Sequence, residues 1–311
     1  MTLSGRPATC SIKDDPPFVS VIVPARNRVE KLQKCLQALS AQSYPKTRYE
    51  VIVVDNDSTQ DLPSVCAGDD GVVYVKELGI GSYAARNTGI RASKGSVIAL
   101  TDSDCIPSPE WLACGVRDLI ALDCDIVGGR VEFLPSSLAE LNIFEIFEEA
   151  RFSLAQQHVF VKYNSVVTAN VITYRVSFEK AGLFNSSLRA LGDMEWANRA
   201  VAKGLILKYS ADAVVHHPRR STYRDILLKI KRDAGGTQQF RLRQKQWKLA
   251  IYELYWTSPV SPDVFRLVLL CPSIRGFVKR VQFAVLAYHC SLVATIERIK
   301  VSLGRPVFRG D

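Results

Sequence analysis

No two of the chain's eight cysteines, spread over 311 residues, form a short-spaced pair, and no apolar secretory leader precedes them. A zinc knuckle and a disulfide framework are therefore excluded; reduced thiols in a cytosolic setting, each a small buried hydrophobe, are expected. No Gly-Lys-Ser/Thr phosphate loop occurs, and Gly79-Ile-Gly81 lacks the third glycine of a dinucleotide fingerprint and follows the third apolar run instead of the first. A membrane-spanning helix needs roughly 20 apolar residues. The stretch from Val281 to Ile296 has no charged residue but is only sixteen long. Residues 1–17 are polar, carry Pro7, Pro16 and Pro17, and read as a loose leader.

An excess of positive charge is missing from most of the chain as well. The net charge is +9, yet residues 218–311 hold 18 Lys and Arg against 6 Asp and Glu, leaving 22 against 25 in residues 1–217. A basic tail suits nucleic acid or an anionic membrane surface, whereas an acidic body is a poor fit to a protein that grips nucleic acid over its whole surface. No aromatic-basic stacking platform accompanies the tail, so nucleic acid is not expected as a partner.

What is present is an alternation. Val19 to Asn27 is a β-branched strand that Pro24 breaks into a loop, and Leu32, Leu36 and Leu39 follow at helical spacing. Tyr49 to Ser58 and Val72 to Glu77 are further strands, and a helix opens after Gly81. Strands without polar alternation imply burial on both faces. The fold class is α/β, a mostly parallel central sheet with helices on both faces, over residues 18–220, followed by a basic helical region over 221–311.

Three spots concentrate reactive groups. The apolar run Val97 to Leu100 ends in Asp102-Ser103-Asp104, where strand-end carboxylates can hold a cation; Asp102 capping the next helix is the alternative. Leu191-Gly192-Asp193-Met194-Glu195 opens a helix after a turn that Gly192 permits, so its acids are either first-turn charges or a catalytic base. Ala213 to His217 ends a strand in two histidines, which alternation sends to opposite faces.

The order Val-Ser-Val-Ile-Val-Pro-Ala-Arg-Asn, Val-Ile-Val-Val-Asp-Asn-Asp-Ser-Thr, Ala-Arg-Asn-Thr-Gly-Ile and Leu-Thr-Asp-Ser-Asp resembles the family 2 glycosyltransferases, of glycosyltransferase A fold, over residues 18–220. The resemblance implies an inverting transfer of sugar from a nucleotide-diphosphate donor. It places Pro24, Ala25, Arg26, Asn27, Asp55 and Asn56 around the nucleotide. Asn56 replaces a second acid and leaves UDP, TDP or GDP open. Arg86 is implied near the diphosphate, with a surface ion pair as the alternative; Asn170 is implied beside the donor sugar. Asp104 is implied to touch Mn²⁺ or Mg²⁺, joined by His217, with Asp102 a further ligand nearer the ribose and Ser103 between them. Asp193 matches the acceptor base, with Glu195 the alternative. The acceptor would be a glycan or lipid-linked glycan in exopolysaccharide or cell-envelope synthesis.

In the tail, Tyr223 to Asp233 predicts a basic amphipathic helix ended by Gly235-Gly236. Val281 to Ile296, flanked by Lys279-Arg280 and Arg298-Lys300, predicts a helix lying on an anionic membrane surface, or packed on the body or a second subunit. The expected location is cytoplasmic, peripheral on the inner face of the cell membrane. A nucleotidyltransferase is the rival enzyme, but Pro-Ala-Arg-Asn is not the glycine-rich basic loop it would need.

Overall fold

A computed structural model describes residues 15–68, 71–134, 141–151 and 156–308. The chain divides into two compact units, one of residues 1–133, 155–186 and 192–218 and the other of 134–154, 187–191 and 219–311. The division at 218/219 lies beside the boundary expected at 220, but the second unit also takes in two internal segments. Residues 1–14 of the expected leader lie outside the described residues.

The first unit is built on one sheet. β1 (Val19–Ala25) is followed by α1 (Val29–Ser40), β2 (Tyr49–Asp55), α2 (Leu62–Cys66), β3 (Val72–Lys76), α3 (Ser82–Ala92) and β4 (Val97–Leu100). These four strands are parallel, and β1 and β4 are buried at every position, which is why they read as unbroken apolar runs. α1 buries Leu32, Cys35, Leu36 and Leu39, one stripe at helical spacing. Each fully buried leucine there contributes about 1.5–3 kcal/mol.

The chain continues through β5 (Ile106–Pro107), α4 (Trp111–Ala121) and β6 (Ile126–Phe133). α5 (Ile143–Arg151) belongs to the second unit, and α6 (Gln156–Tyr163), β7 (Val171–Tyr174), α7 (Arg175–Ala181), α8 (Gly192–Ala202) and β8 (Leu207–His217) complete the first. The eight strands lie in the order β3-β2-β1-β4-β7-β6-β8-β5. β7 runs against both β4 and β6, and β8 runs with β6, so two reversals return β8 to the direction of β4. The carboxyl ends of β1, β2, β4 and β8 therefore open on one edge of the sheet, where α/β folds hold ligands.

β7 is shorter than the strand expected over Val166 to Arg175, because α7 starts at Arg175 and residues 165–170 are not strand. Asn170 is fully buried in that approach. Its Oδ1 accepts from Trp111 Nε1 (2.8 Å), and its Nδ2 donates to the carbonyls of Arg130 (2.9 Å) and Ala213 (2.8 Å). It ties three segments of the core together, where the sequence had placed it beside a donor sugar.

In the second unit α5 joins α9 (Tyr223–Arg243), α10 (Trp247–Trp256), α11 (Pro262–Leu270) and α12 (Phe277–Ser302). Phe147 of α5, Ile226 and Ile230 of α9, and Phe283 and Leu286 of α12 share one core. α9 does not end at Gly235-Gly236 but runs on to Arg243. A Cβ on Gly236 would come within 2.7 Å of Ala190 Cβ and 3.0 Å of its backbone nitrogen, so the glycine serves close packing and not termination. α12 extends beyond the predicted 281–296 and has two faces. Phe283, Leu286, Ala287, Cys290 and Ala294 are buried, while Val281, Val285, Tyr288, Leu292 and Ile296 are exposed. No described helix is long and apolar enough to cross a membrane.

Candidate functional site

The loop after β1 and the end of β2 hold each other. Asn27 takes a left-handed backbone (φ 55°), as do Arg28 (φ 65°) and Asp57 (φ 58°), a concentration of strained non-glycine conformations that marks functional loops. Asn27 N–H donates to Ser58 Oγ (2.8 Å), and the Asn27 carboxamide oxygen accepts from Thr59 N–H (2.9 Å). Pro24 and Ala25 are buried in β1, Ala25 O accepts from Asn56 N–H (2.8 Å), and Arg26 is exposed. Asp55 accepts from Ser58 N–H (2.9 Å) and Tyr74 OH (2.7 Å). Burial raises its pKa, but these hydrogen bonds outweigh that and hold it below the usual carboxylate value. The Asn56 side chain donates to Gly79 O (2.5 Å) and accepts from Gly81 N–H (2.9 Å), so it is occupied in fixing the turn into α3.

Beyond β4 the two acids of Asp102-Ser103-Asp104 part company. Asp102 forms an ion pair with Arg86, whose side chain is buried and whose Nε has no partner. Ser103 is partly exposed between the acids. Asp104 faces Arg28 Nη1 (3.2 Å), Lys31 Nζ (3.9 Å) and His217 Nε2 (3.8 Å). His216 points away, its Nδ1 3.9 Å from Glu132, as strand alternation requires. His217 Nδ1 lies 2.7 Å from Pro218 O. A carbonyl only accepts, so Nδ1 carries the proton and the Nε2 lone pair is turned toward Asp104, the usual preparation of a metal-binding imidazole.

Ligand atoms of Asp104, Cys105 and His217 all lie within 4.8 Å of one another. Oxygen and nitrogen donors sit about 2.1 Å from a small divalent ion, which allows them to be up to about 4.2 Å apart across it. The 3.8 Å between Asp104 and His217 fits that span. Asp102, expected as a further ligand, is not in this group because Arg86 holds it, while Cys105, read from the sequence as an ordinary buried thiol, is.

Asp193 sits in the first turn of α8, after a turn made by Leu191 (φ 59°). Gly192 is needed there for a reason other than the turn: a Cβ would come within 2.5 Å of the Tyr83 ring. The Tyr83 hydroxyl accepts from the N–H groups of Gly192 (2.9 Å) and Asp193 (3.3 Å), and at 3.4 Å it can donate to Asp193 Oδ1. Met194 N–H (3.0 Å) and Thr168 N–H (3.4 Å) also donate to the Asp193 carboxylate. Burial nevertheless raises the Asp193 pKa above the ordinary value, against the pull of those amides and of Arg86. Glu195, the alternative acid, is clamped by Arg199 through two contacts, Nε to Oε1 (2.9 Å) and Nη2 to Oε2 (3.1 Å). Tyr83, Arg28, Lys31 and Cys105 escaped the sequence reading; the left-handed backbone at Arg28, just before the helix that carries Lys31, has no local signature.

Among solved structures, the mannosyltransferase PcManGT from Pyrobaculum calidifontis, in complex with GDP-Man and Mn²⁺, superposes with a TM-score of 0.59 at 20% identity, covering 92% of this chain and 86% of its own. S. aureus TarS 1–349 in complex with UDP-GlcNAc gives a TM-score of 0.54 at 14% identity, over 93% and 92%. The fold is thus the glycosyltransferase A type. Residues 20–179 match the family described as "Glycosyl transferase family 2". Glycosyltransferase AglE of Haloferax volcanii is 37% identical over 210 residues, 66% of this chain and 68% of that protein. A pre-mycofactocin glycosyltransferase of Mycobacterium tuberculosis is 27% identical over 218 residues, 67% of this chain but 44% of its own length. The chain belongs to glycosyl transferase family 2 and is a glycosyltransferase.

Proposed function

We propose that the protein transfers a sugar from a nucleotide-diphosphate donor to an acceptor hydroxyl in a single inverting displacement, with Asp193 as the base. The observation that carries this reading is the contrast between Asp193, whose charged form is penalised by burial, and Glu195, whose charge Arg199 already satisfies. A carboxylate with a raised pKa takes a hydroxyl proton more readily, and the oxygens of Glu195 are already engaged by a guanidinium. The acceptor oxygen gives its proton to Asp193 and bonds to the anomeric carbon while the bond from that carbon to the diphosphate oxygen breaks. Tyr83 and the Thr168 and Met194 amides orient the carboxylate.

The strand ends of β1, β2 and β4 hold the nucleotide, with Arg86 and its unpartnered Nε beside the diphosphate. Asp104 and His217 would hold Mn²⁺ or Mg²⁺, with Cys105 adjacent, and such an ion would supply positive charge for a departing diphosphate. UDP, GDP and TDP sugars are the donors to test, the first two because TarS and PcManGT are described with them.

The second unit meets an anionic membrane surface on the cytoplasmic side. Val281, Val285, Tyr288, Leu292 and Ile296 line the outer face of α12, and a net charge of +12 over residues 218–311 complements anionic lipid. A glycan on a lipid carrier, in exopolysaccharide or cell-envelope synthesis, is the acceptor class this position serves. Incubation with a panel of nucleotide sugars and acceptors, reading the product's anomeric configuration by NMR, tests the reaction. Product with inverted configuration is expected; retention, or no hydrolysis or transfer from any donor, would overturn it.

A further inference from the structure

The second unit encloses a cavity of about 110 Å³ that plays no part in the chemistry above. Its lining includes apolar Phe147, Ile230, Leu267 and Ala294, and polar Arg151, Arg298 and Asp233. Arg298 is only 6% exposed. Its Nη1 reaches Glu253 Oε2 (3.1 Å) and Gln238 Oε1 (3.4 Å), but its Nε is buried without a partner. A buried donor left unpaired costs free energy unless a ligand or water accepts from it.

Charge around the cavity is unbalanced. Glu253 is shared between Arg241 and Arg298, and Asp233 between Lys229 and Arg232. Asp263 is the carboxylate acting on Arg151. Of the groups that line the cavity itself, Arg151 and Arg298 are cations and Asp233, already paired with Lys229 and Arg232, is the carboxylate. Burial pushes the Arg298 pKa down, against the pull of Glu253. An engineered apolar cavity of about 150 Å³ accepts benzene. The smaller space here suits a headgroup and the first carbons of a chain.

We propose that this cavity binds a phosphate monoester on an apolar chain, with Arg151 and Arg298 on the phosphate and the wall around Phe147 on the carbons. Guanidinium forks match phosphate oxygens in pairs, and the apolar wall distinguishes the ester from the free ion. The site is independent of the donor site, and its test stands apart from that of sugar transfer.

The experiment titrates the full chain with hexyl phosphate, inorganic phosphate and hexanol by calorimetry. Hexyl phosphate should bind saturably, with inorganic phosphate and hexanol each at least about tenfold weaker. Arg151→Gln, at an exposed position, should weaken hexyl phosphate about tenfold with an unchanged Tm, and Arg298→Gln should do the same if circular dichroism shows it folded. Binding should persist in Asp104→Asn, so loss of the donor reading would leave this one standing. Absence of saturable hexyl phosphate binding would overturn the proposal, as would equal binding of inorganic phosphate or hexanol, or unaltered affinity in Arg151→Gln.

Discussion

Two carboxylates in the first unit, Asp104 and Asp193, are set in opposite surroundings. Asp104 faces the cations Arg28 at 3.2 Å and Lys31 at 3.9 Å, and the His217 imidazole at 3.8 Å. Asp193 has a tyrosine hydroxyl and two backbone amides, and burial lifts its pKa. The first surroundings set Asp104 among nitrogen donors beside a candidate metal ligand, and the second make Asp193 the better proton acceptor. Arg86 acts on both ends, pairing with Asp102 and drawing the Asp193 pKa back down. The division of labour between the acids therefore lies in their neighbours, since the residue type is the same.

Breaking the Asp193 end has the largest expected effect. Asp193→Asn removes the base and should lower turnover about 10²–10⁴-fold, measured at saturating donor, because that is the usual contribution of general base catalysis. His217→Ala should weaken Mn²⁺ binding about 10–100-fold by analogy with lost ligand support, while leaving nucleotide hydrogen bonds intact. Titrating Mn²⁺ against that variant reads it directly.

Tyr83→Phe sharpens the comparison. The hydroxyl stabilises the charged carboxylate, so removing it raises the Asp193 pKa further. Asp193 must be ionised to accept a proton, so activity falls as pH drops through its raised pKa. The acidic limb of wild-type turnover should lie above the ordinary carboxylate range, and in Tyr83→Phe it should move to still higher pH. A limb that does not move would detach Tyr83 from the base. The smallest effect belongs to Glu195→Gln. A partly exposed pair one helical turn apart contributes only about 0.2–1 kcal/mol, so Tm should drop slightly with turnover retained within a few-fold.

The strands and their terminal acids were legible because burial on both faces leaves an apolar run whose polar end is conspicuous. The direction of β7 was not, since Val171 to Tyr174 reads the same whichever way it runs. Gly235-Gly236 looked like a helix end because local rules weigh backbone freedom, whereas tight packing against Ala190 keeps α9 going. Asn170 matched a family segment, but its burial and its three hydrogen bonds depend on residues 40 to 59 positions away in sequence. Tyr83 lies 110 residues from Asp193 in sequence, so their contact depends on the fold alone.

The most direct test is a calorimetric titration of UDP or GDP with Mn²⁺ into Asp193→Asn, alongside its turnover. Nucleotide and metal should bind with wild-type affinity while transfer is lost, as a dedicated base requires. Transfer near the wild-type rate, or loss of nucleotide binding along with it, would contradict the separation of the two acids.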